Sequence, residues 1–298
     1  MSGSELTMRL GLDKVLDPYD LTARLLPGLL VLLPAILCIA VLYGAKSPVA
    51  VALGSVFATC GGPYLLSSFV RTWGQRAQVR LFRQWGGQPT TLLLRHRHDH
   101  LPPLTKGRYR DLAASRLGIT LPSDSEEEQA PVLADQAYIA AADALRPLTN
   151  DRKTFPFVFK ELVAYGFNRN AHGSRWVGLS VTAATVVAAL MHAGLLHIQP
   201  PYWTGAELDT SHIVVVVVAF GFACLWCFHF TARTVQQAGF SYAKRLWEAL
   251  EKLPRRSVRS KPVRLSKWGP DATRPRSRLP PLCRGSADGY PGFSTQRP

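Results

Sequence analysis

Four runs of the chain, residues 25–45, 49–70, 176–198 and 211–232, contain no Asp, Glu, Lys or Arg. Each is about 21 to 23 residues long, and a helix rising about 1.5 Å per residue needs about 20 apolar residues to cross a bilayer's hydrocarbon core. The hydrophobic fraction of 47% would suit one or two globular domains if it were spread evenly, but it is concentrated in these runs. The expected fold is therefore mainly α and integral to a membrane. Four transmembrane helices form two hairpins, with a small, mostly helical cytoplasmic module between the second and third. The first run does not read as a signal peptide, because Glu5, Asp13, Asp17 and Asp20 precede it and the apolar stretch exceeds a usual h-region. Pro27 and Pro34 predict a bend there, with neighbouring helices satisfying the carbonyls they free.

Lys and Arg set the expected orientation. Three precede the first run, Lys46 alone lies in the first short turn, sixteen lie between 71 and 175, none lies in 199–210, and fifteen follow 232. Cytoplasmic loops carry the excess of basic residues, so both termini and the central region are expected inside. This divides the chain into a cytoplasmic N-terminal segment (1–24), a membrane hairpin (25–70), the cytoplasmic module (71–175), a second hairpin (176–232), a cytoplasmic amphipathic helix (233–253) and a basic, Pro-rich tail (254–298) expected to be disordered. The formal net charge of +15 falls on the inner side, where anionic headgroups attract it, and nucleic acid is not the expected partner. Cys38, Cys60, Cys224 and Cys227 lie in the runs and Cys283 in the tail, so no disulfide framework is expected.

Within the module, the second helix is expected to continue through RTWGQRAQVRLFRQW to Gly86 and Gly87. Arg76, Arg80 and Arg83 occupy one face, for headgroup or partner contact, and Val79, Phe82 and Trp85 another. TTLLLRH reads as a short strand. Thr105 is the expected cap of a helix striped by Tyr109, Leu112, Ala113 and Leu117 and stopped by Gly118. Ser125 and Glu128 have capping-box spacing before VLADQAYIAAADALRP, a helix expected to end before Pro147. TARTVQQAGFSYAKRLWEALEKL is expected to continue the fourth span as an amphipathic helix. Gly178, Thr182, Thr185 and Ala189 share one face of the third span and read as a small-residue packing surface.

No nucleotide-binding or hydrolase motif occurs, and no cofactor or catalytic residue is assigned. His96, His98 and His100 are weak metal candidates: in an extended strand all three imidazoles would point to one side. Cys224, Cys227 and His229 lie in a membrane run, where C-x-x-C has little specificity. At the start of the third span, Lys160, Glu161, Tyr165, Asn168, Arg169, Asn170 and Arg175 gather hydrogen-bonding and basic groups, either anchoring the helix to phosphates and its neighbour or meeting a ligand or partner.

The segments LRHRHDHL, TKGRYRDLA, ADQAYIAAADALR and FPFVFKELVAYGFNRNAHGSR resemble an uncharacterised family of bacterial inner-membrane proteins with a central FPxxFKExxxYGFxRNxxGxR segment, over about residues 15 to 250. The resemblance implies a multi-pass protein of the bacterial inner membrane. The architecture also resembles membrane effectors of bacterial phage-defence systems. The function expected is that of a non-enzymatic, homo-oligomeric sensor or effector, its module contacting a cytoplasmic protein or small-molecule ligand. The alternatives are a membrane-bound, metal-dependent enzyme acting on lipid or nucleotide phosphates through His96 to His100, and an assembly subunit of a larger membrane complex.

Overall fold

The computed structural model describes residues 18–44, 48, 51–52, 54–55, 61–205 and 207–255. The N-terminal lead to residue 17, Lys46, part of the second uncharged run (49–50, 53 and 56–60, with Cys60), Cys283 and the tail from 256 lie outside the described residues.

The chain is mainly helical. Among the described residues three helices are long and apolar enough to cross a membrane: α1 (Pro18–Leu42), α7 (Pro156–His192) and α8 (Thr210–His229). The remaining helices are α2 (Gly62–Trp85), α3 (Pro89–Leu94), α4 (Pro103–Leu112, extended by a π turn Ala113–Leu117), α5 (Asp124–Gln129), α6 (Pro131–Leu148) and α9 (Ala232–Glu248). Outward faces of the long helices carry Leu29, Ile36, Phe69, Val187, Val217 and Phe220, all exposed. Such a continuous apolar surface is stable in lipid and costly in water, and the protein belongs in a membrane.

The central helix is α7, packed against α1, α2, α8 and α9. Its small-residue face is buried as expected: Gly178, Thr182, Thr185 and Ala189 all point inward. A Cβ on Gly178 would lie 2.4 Å from the Trp226 ring, so glycine there admits the largest side chain of α8. The two threonines return their hydroxyls to the carbonyls four residues back, at 2.8 Å each, which satisfies both donors within the helix.

Boundaries depart from the expected runs for local reasons. α7 stops at His192 rather than 198, because Gly194 takes a left-handed φ of 74° and two prolines follow at 200 and 201. α8 begins at Thr210, since the Asp209 side chain accepts from the His212 N–H at 3.1 Å. The expected uninterrupted passage from α8 into α9 is not found. The chain turns at Phe230, and Thr231 caps α9 by accepting from the Thr234 N–H.

Four expectations for the module are corrected. TTLLLRH is not a strand: Pro89 occupies the first helical position and residues 89–94 form α3, buried on all sides. Among the described residues there is no strand, only an isolated bridge between Leu196 and Trp203. Thr105 does not cap α4, which begins two residues earlier at Pro103, while Gly118 ends the following π turn with φ 69°. The capping box is Ser123 with Glu126, not Ser125 with Glu128; this register turns the next residue, Glu127, into the core. α6 runs one residue past Pro147, which sits in its last turn.

α2 ends at Gly86 as expected, with φ 77°. Its inward face includes Val70, Gly74, Ala77 and Leu81, while Val79 is exposed. Close packing decides this: a Cβ on Gly173 of α7 would lie 2.6 Å from the Trp73 backbone, so the two helices touch main chain to main chain.

The main core belongs to the module. Leu93, Leu94, Tyr138, Leu145, Leu246 and Trp247 are all buried in one cluster that also takes in Val158 and Tyr165 of α7. α9 is thus a core element as well as an amphipathic one, and the Trp247 indole donates to the Thr90 carbonyl at 3.1 Å.

Candidate functional site

The junction between module and membrane helices is organised around Asn170, which is fully buried. Pro27 has no N–H, so the carbonyl four residues before it, that of Ala23, loses its helical donor. A π turn (Leu21–Leu25) forms at this point, and Asn170 Nδ2 donates to the Ala23 carbonyl at 2.6 Å. Its Oδ1 accepts from Arg169 Nε and Nη2 at 3.2 and 3.1 Å, while Arg169 Nη1 reaches Gln78 Oε1 of α2 at 2.7 Å. Gly74 leaves room for the amide: a Cβ there would be 1.9 Å from Asn170 Oδ1. Three helices are therefore pinned by one asparagine and one arginine.

Tyr165 lies one turn away, buried, with its ring stacked on Tyr242 of α9 at 6.2 Å and its hydroxyl without a hydrogen-bond partner. Asn168 bonds within its own helix to the Ala164 carbonyl at 2.9 Å. The other expected residues are not drawn in. Lys160 is exposed and Glu161 half-buried, Arg175 lies over the exposed Trp176 ring at 4.8 Å, and Arg76, Arg80 and Arg83 face outward. Those three arginines continue the stripe that carries exposed Leu65 and Phe69 about two to five turns earlier, so a single face of α2 passes from apolar to basic.

The histidine segment forms a turn between α3 and α4, and its side chains do not share one side. His98 and His100 stack at 5.7 Å, His100 packs on Phe240 at 4.5 Å, and His96 Nδ1 is 4.0 Å from Asp124. Among the described residues no group of three or more His, Cys, Asp or Glu side chains is arranged to hold a metal. What occupies this turn is a buried charge network. Arg95 grips Asp135 with two bonds of 2.7 and 2.6 Å and reaches the Gly86 carbonyl at 2.8 Å. The Lys106 ammonium, also buried, donates to the carbonyls of Arg95 at 2.8 Å and of His98.

Glu127 accepts from the His96 N–H at 2.9 Å and the Tyr138 hydroxyl at 2.8 Å, with Arg97 at 3.8 Å. Burial alone would raise its pKa, but these donors and the Arg97 charge hold it below the usual carboxylate value. Tyr138 is pushed upward, by burial first and then by Glu127. Burial and the neighbouring Arg95 hold His98 below the usual histidine value. The arrangement is a fastening of main-chain carbonyls and N–H groups.

A further constellation joins the far ends of α7 and α8. His192 Nδ1 meets His212 Nε2 at 2.9 Å, His212 Nδ1 is hydrogen-bonded to Asp209, and the Tyr43 ring stands edge-on to His192 at 5.0 Å. Sequence spacing of 20 residues across a turn gives no local signal for this pair. At the near end His172 Nδ1 meets the Phe230 carbonyl at 2.8 Å, which caps the break after α8. Cys224 is half-buried and Cys227 exposed on α8, so the C-x-x-C pair does not converge inward. No family model, curated protein or solved structure matches the chain.

Proposed function

We propose that this is a non-enzymatic protein of the bacterial inner membrane, with four spans and both termini inside, that oligomerises and couples the state of its cytoplasmic module to its membrane helices. The fourth span in this reading is the uncharged run 49–70. One observation carries the proposal: α7 runs unbroken for 37 residues, with Val158 and Tyr165 in the module core and Thr182, Thr185 and Ala189 in the membrane packing face. No proline follows its first position, and the helix is continuous from end to end. A displacement of the module reaches the membrane helices through this element and through α9, which closes the module core directly after α8.

The basic stripe Arg76, Arg80 and Arg83 supports contact with anionic headgroups, and the outward apolar faces support packing against further copies or lipid. A cytoplasmic protein or small molecule acting on the module is the input this reading requires, in stress or phage defence. Controlled expression, with and without phage challenge, tests it through membrane potential and dye permeability. A change that appears on challenge and disappears when α7 is interrupted by a Gly-Pro insertion at Asn168 is the expected result. Unchanged potential and permeability under every condition would sink the effector reading.

A further inference from the structure

We propose that the loop joining α7 to α8 is a lipid-interface anchor, docking Ile198, Tyr202 and Trp203 into the headgroup layer and the upper part of the acyl chains. These three side chains are strongly exposed, at 81%, 63% and 62%. No Asp, Glu, Lys or Arg occurs in residues 193–206, so no permanent charge in the loop opposes entry into a layer of low dielectric. Tyr and Trp each pair an apolar ring with one polar atom, which concentrates them where hydrocarbon meets headgroups.

The loop's own hydrogen bonds hold it in shape. The His197 N–H donates to the Tyr202 carbonyl at 3.0 Å and the Thr204 N–H to the Leu195 carbonyl at 3.1 Å, on either side of the bridge between Leu196 and Trp203. These bonds satisfy main-chain groups for which lipid has no partner. Met191, exposed in the last turn of α7, lines one groove with Ile198, Pro200 and Pro201. The apolar face that α7 gives to lipid at Val187 and Met191 therefore continues onto the loop without a charged break, and α8 adds exposed Ile213 and Val214 beyond it.

Helix length sets the depth of the loop. Between Arg175, the last cation before the third uncharged run, and His192, where the helix ends, α7 rises about 25 Å, against a hydrocarbon core of about 30 Å. The start of α8 is level with the end of α7, because His192 and His212 meet at 2.9 Å, so α8 does not make up the difference. The shortfall of about 5 Å is filled either by thinning of the bilayer or by apolar groups beyond the helix ends, and the loop places Ile198 and Trp203 there. The inference needs α7 and α8 to cross a bilayer. It depends neither on the direction in which they cross nor on the coupling function proposed above.

The test uses the full-length chain in phosphatidylcholine vesicles and reads tryptophan emission, with the Trp203 contribution taken as the difference between wild type and Trp203→Phe. Lipid brominated near the headgroup end of its acyl chains should remove about half of that contribution or more, lipid brominated near the chain ends much less, and aqueous iodide little. Tyr202→Trp, at a second exposed position, should add emission with the same profile. Val217→Trp, exposed midway along α8, should be quenched most by bromine near the chain ends, which places the helices independently of the loop. Loop emission quenched by iodide and not by bromine, while Val217→Trp responds to bromine, overturns the anchor and leaves the membrane helices standing. Loop emission reached by neither quencher means that a second copy or another protein covers the surface, and overturns the anchor equally. Emission at all three positions that bromine leaves unchanged refutes the membrane placement and the anchor with it.

Discussion

Asn170 is expected to act as a substitute for the N–H that Pro27 lacks, and a double-mutant cycle isolates this. Asn170→Ala leaves the Ala23 carbonyl, now bonded at 2.6 Å, without a donor inside a three-helix contact. An orphaned buried carbonyl costs about 1–3 kcal/mol, and interhelical hydrogen bonds in membrane proteins reach about 1.7 kcal/mol. Arg169 loses two bonds to Oδ1 but keeps Gln78 at 2.7 Å and is half-buried, so its share is the smaller one. The expected loss is about 2 kcal/mol, set by the lower half of the first range. Pro27→Ala supplies an N–H in reach of the same carbonyl. In that background Asn170→Ala should cost less, giving a coupling energy of about 1 kcal/mol, well outside the 0.3–0.5 kcal/mol within which independent sites add. Reversible unfolding in mixed micelles, followed by circular dichroism, measures all four corners. Additive costs would refute the substitution argument.

Lys106→Met removes the ammonium that holds the Arg95 and His98 carbonyls and should destabilise the module by about 3 kcal/mol, since bonds to charged groups are worth about 1.5–3 kcal/mol each; an unchanged unfolding midpoint would contradict it. Gly74→Ala should destabilise despite alanine's helix preference of about 0.8–1.0 kcal/mol, because the added Cβ would stand 1.9 Å from Asn170 Oδ1; a raised unfolding midpoint would show that the crossing is not tight. Acidification should destabilise the module. His98 and Glu127 both have folded pKa values below their ordinary ones of 6.5 and 4.5, so each binds protons more readily unfolded. Their stabilisation is present above those ordinary values and is lost as pH falls through the folded ones, His98 first. Thermal midpoints between pH 7 and 4 should fall, and Glu127→Gln should flatten the lower part; midpoints that rise on acidification would refute the assignment.

The membrane helices were largely legible because periodic, uncharged apolar runs reflect a single requirement, burial of backbone polar groups away from water. Gly86 and Gly118 were legible for an equally local reason, the left-handed conformation that ends a helix. The junction was legible in part. FNRN announced hydrogen-bonding groups at the start of a span, and Pro27 announced a freed carbonyl, but nothing local connects them. The histidine segment misled because alternation in LLLRHRHDH mimics a strand, whereas Pro89 starts a helix that the core buries on every side. Lys106, Glu127 and Asp135 were missed for a related reason: a charge in a polar stretch looks solvated until the fold encloses it. His192 and His212 belong to separate spans, and only the packing of α7 on α8 shows that their rings meet.

The bond between Asn170 and Ala23 spans 147 residues of chain, and that distance is also an interval of time. At about 5–20 residues per second, synthesis separates the two partners by roughly 7–30 s. Throughout that interval α1 carries, near its start, one carbonyl that its own sequence cannot satisfy. It can hold water, borrow a lipid or chaperone donor, or stay near the aqueous boundary until α7 arrives. The first helix is thus made early and completed late, when Asn170 supplies the missing donor.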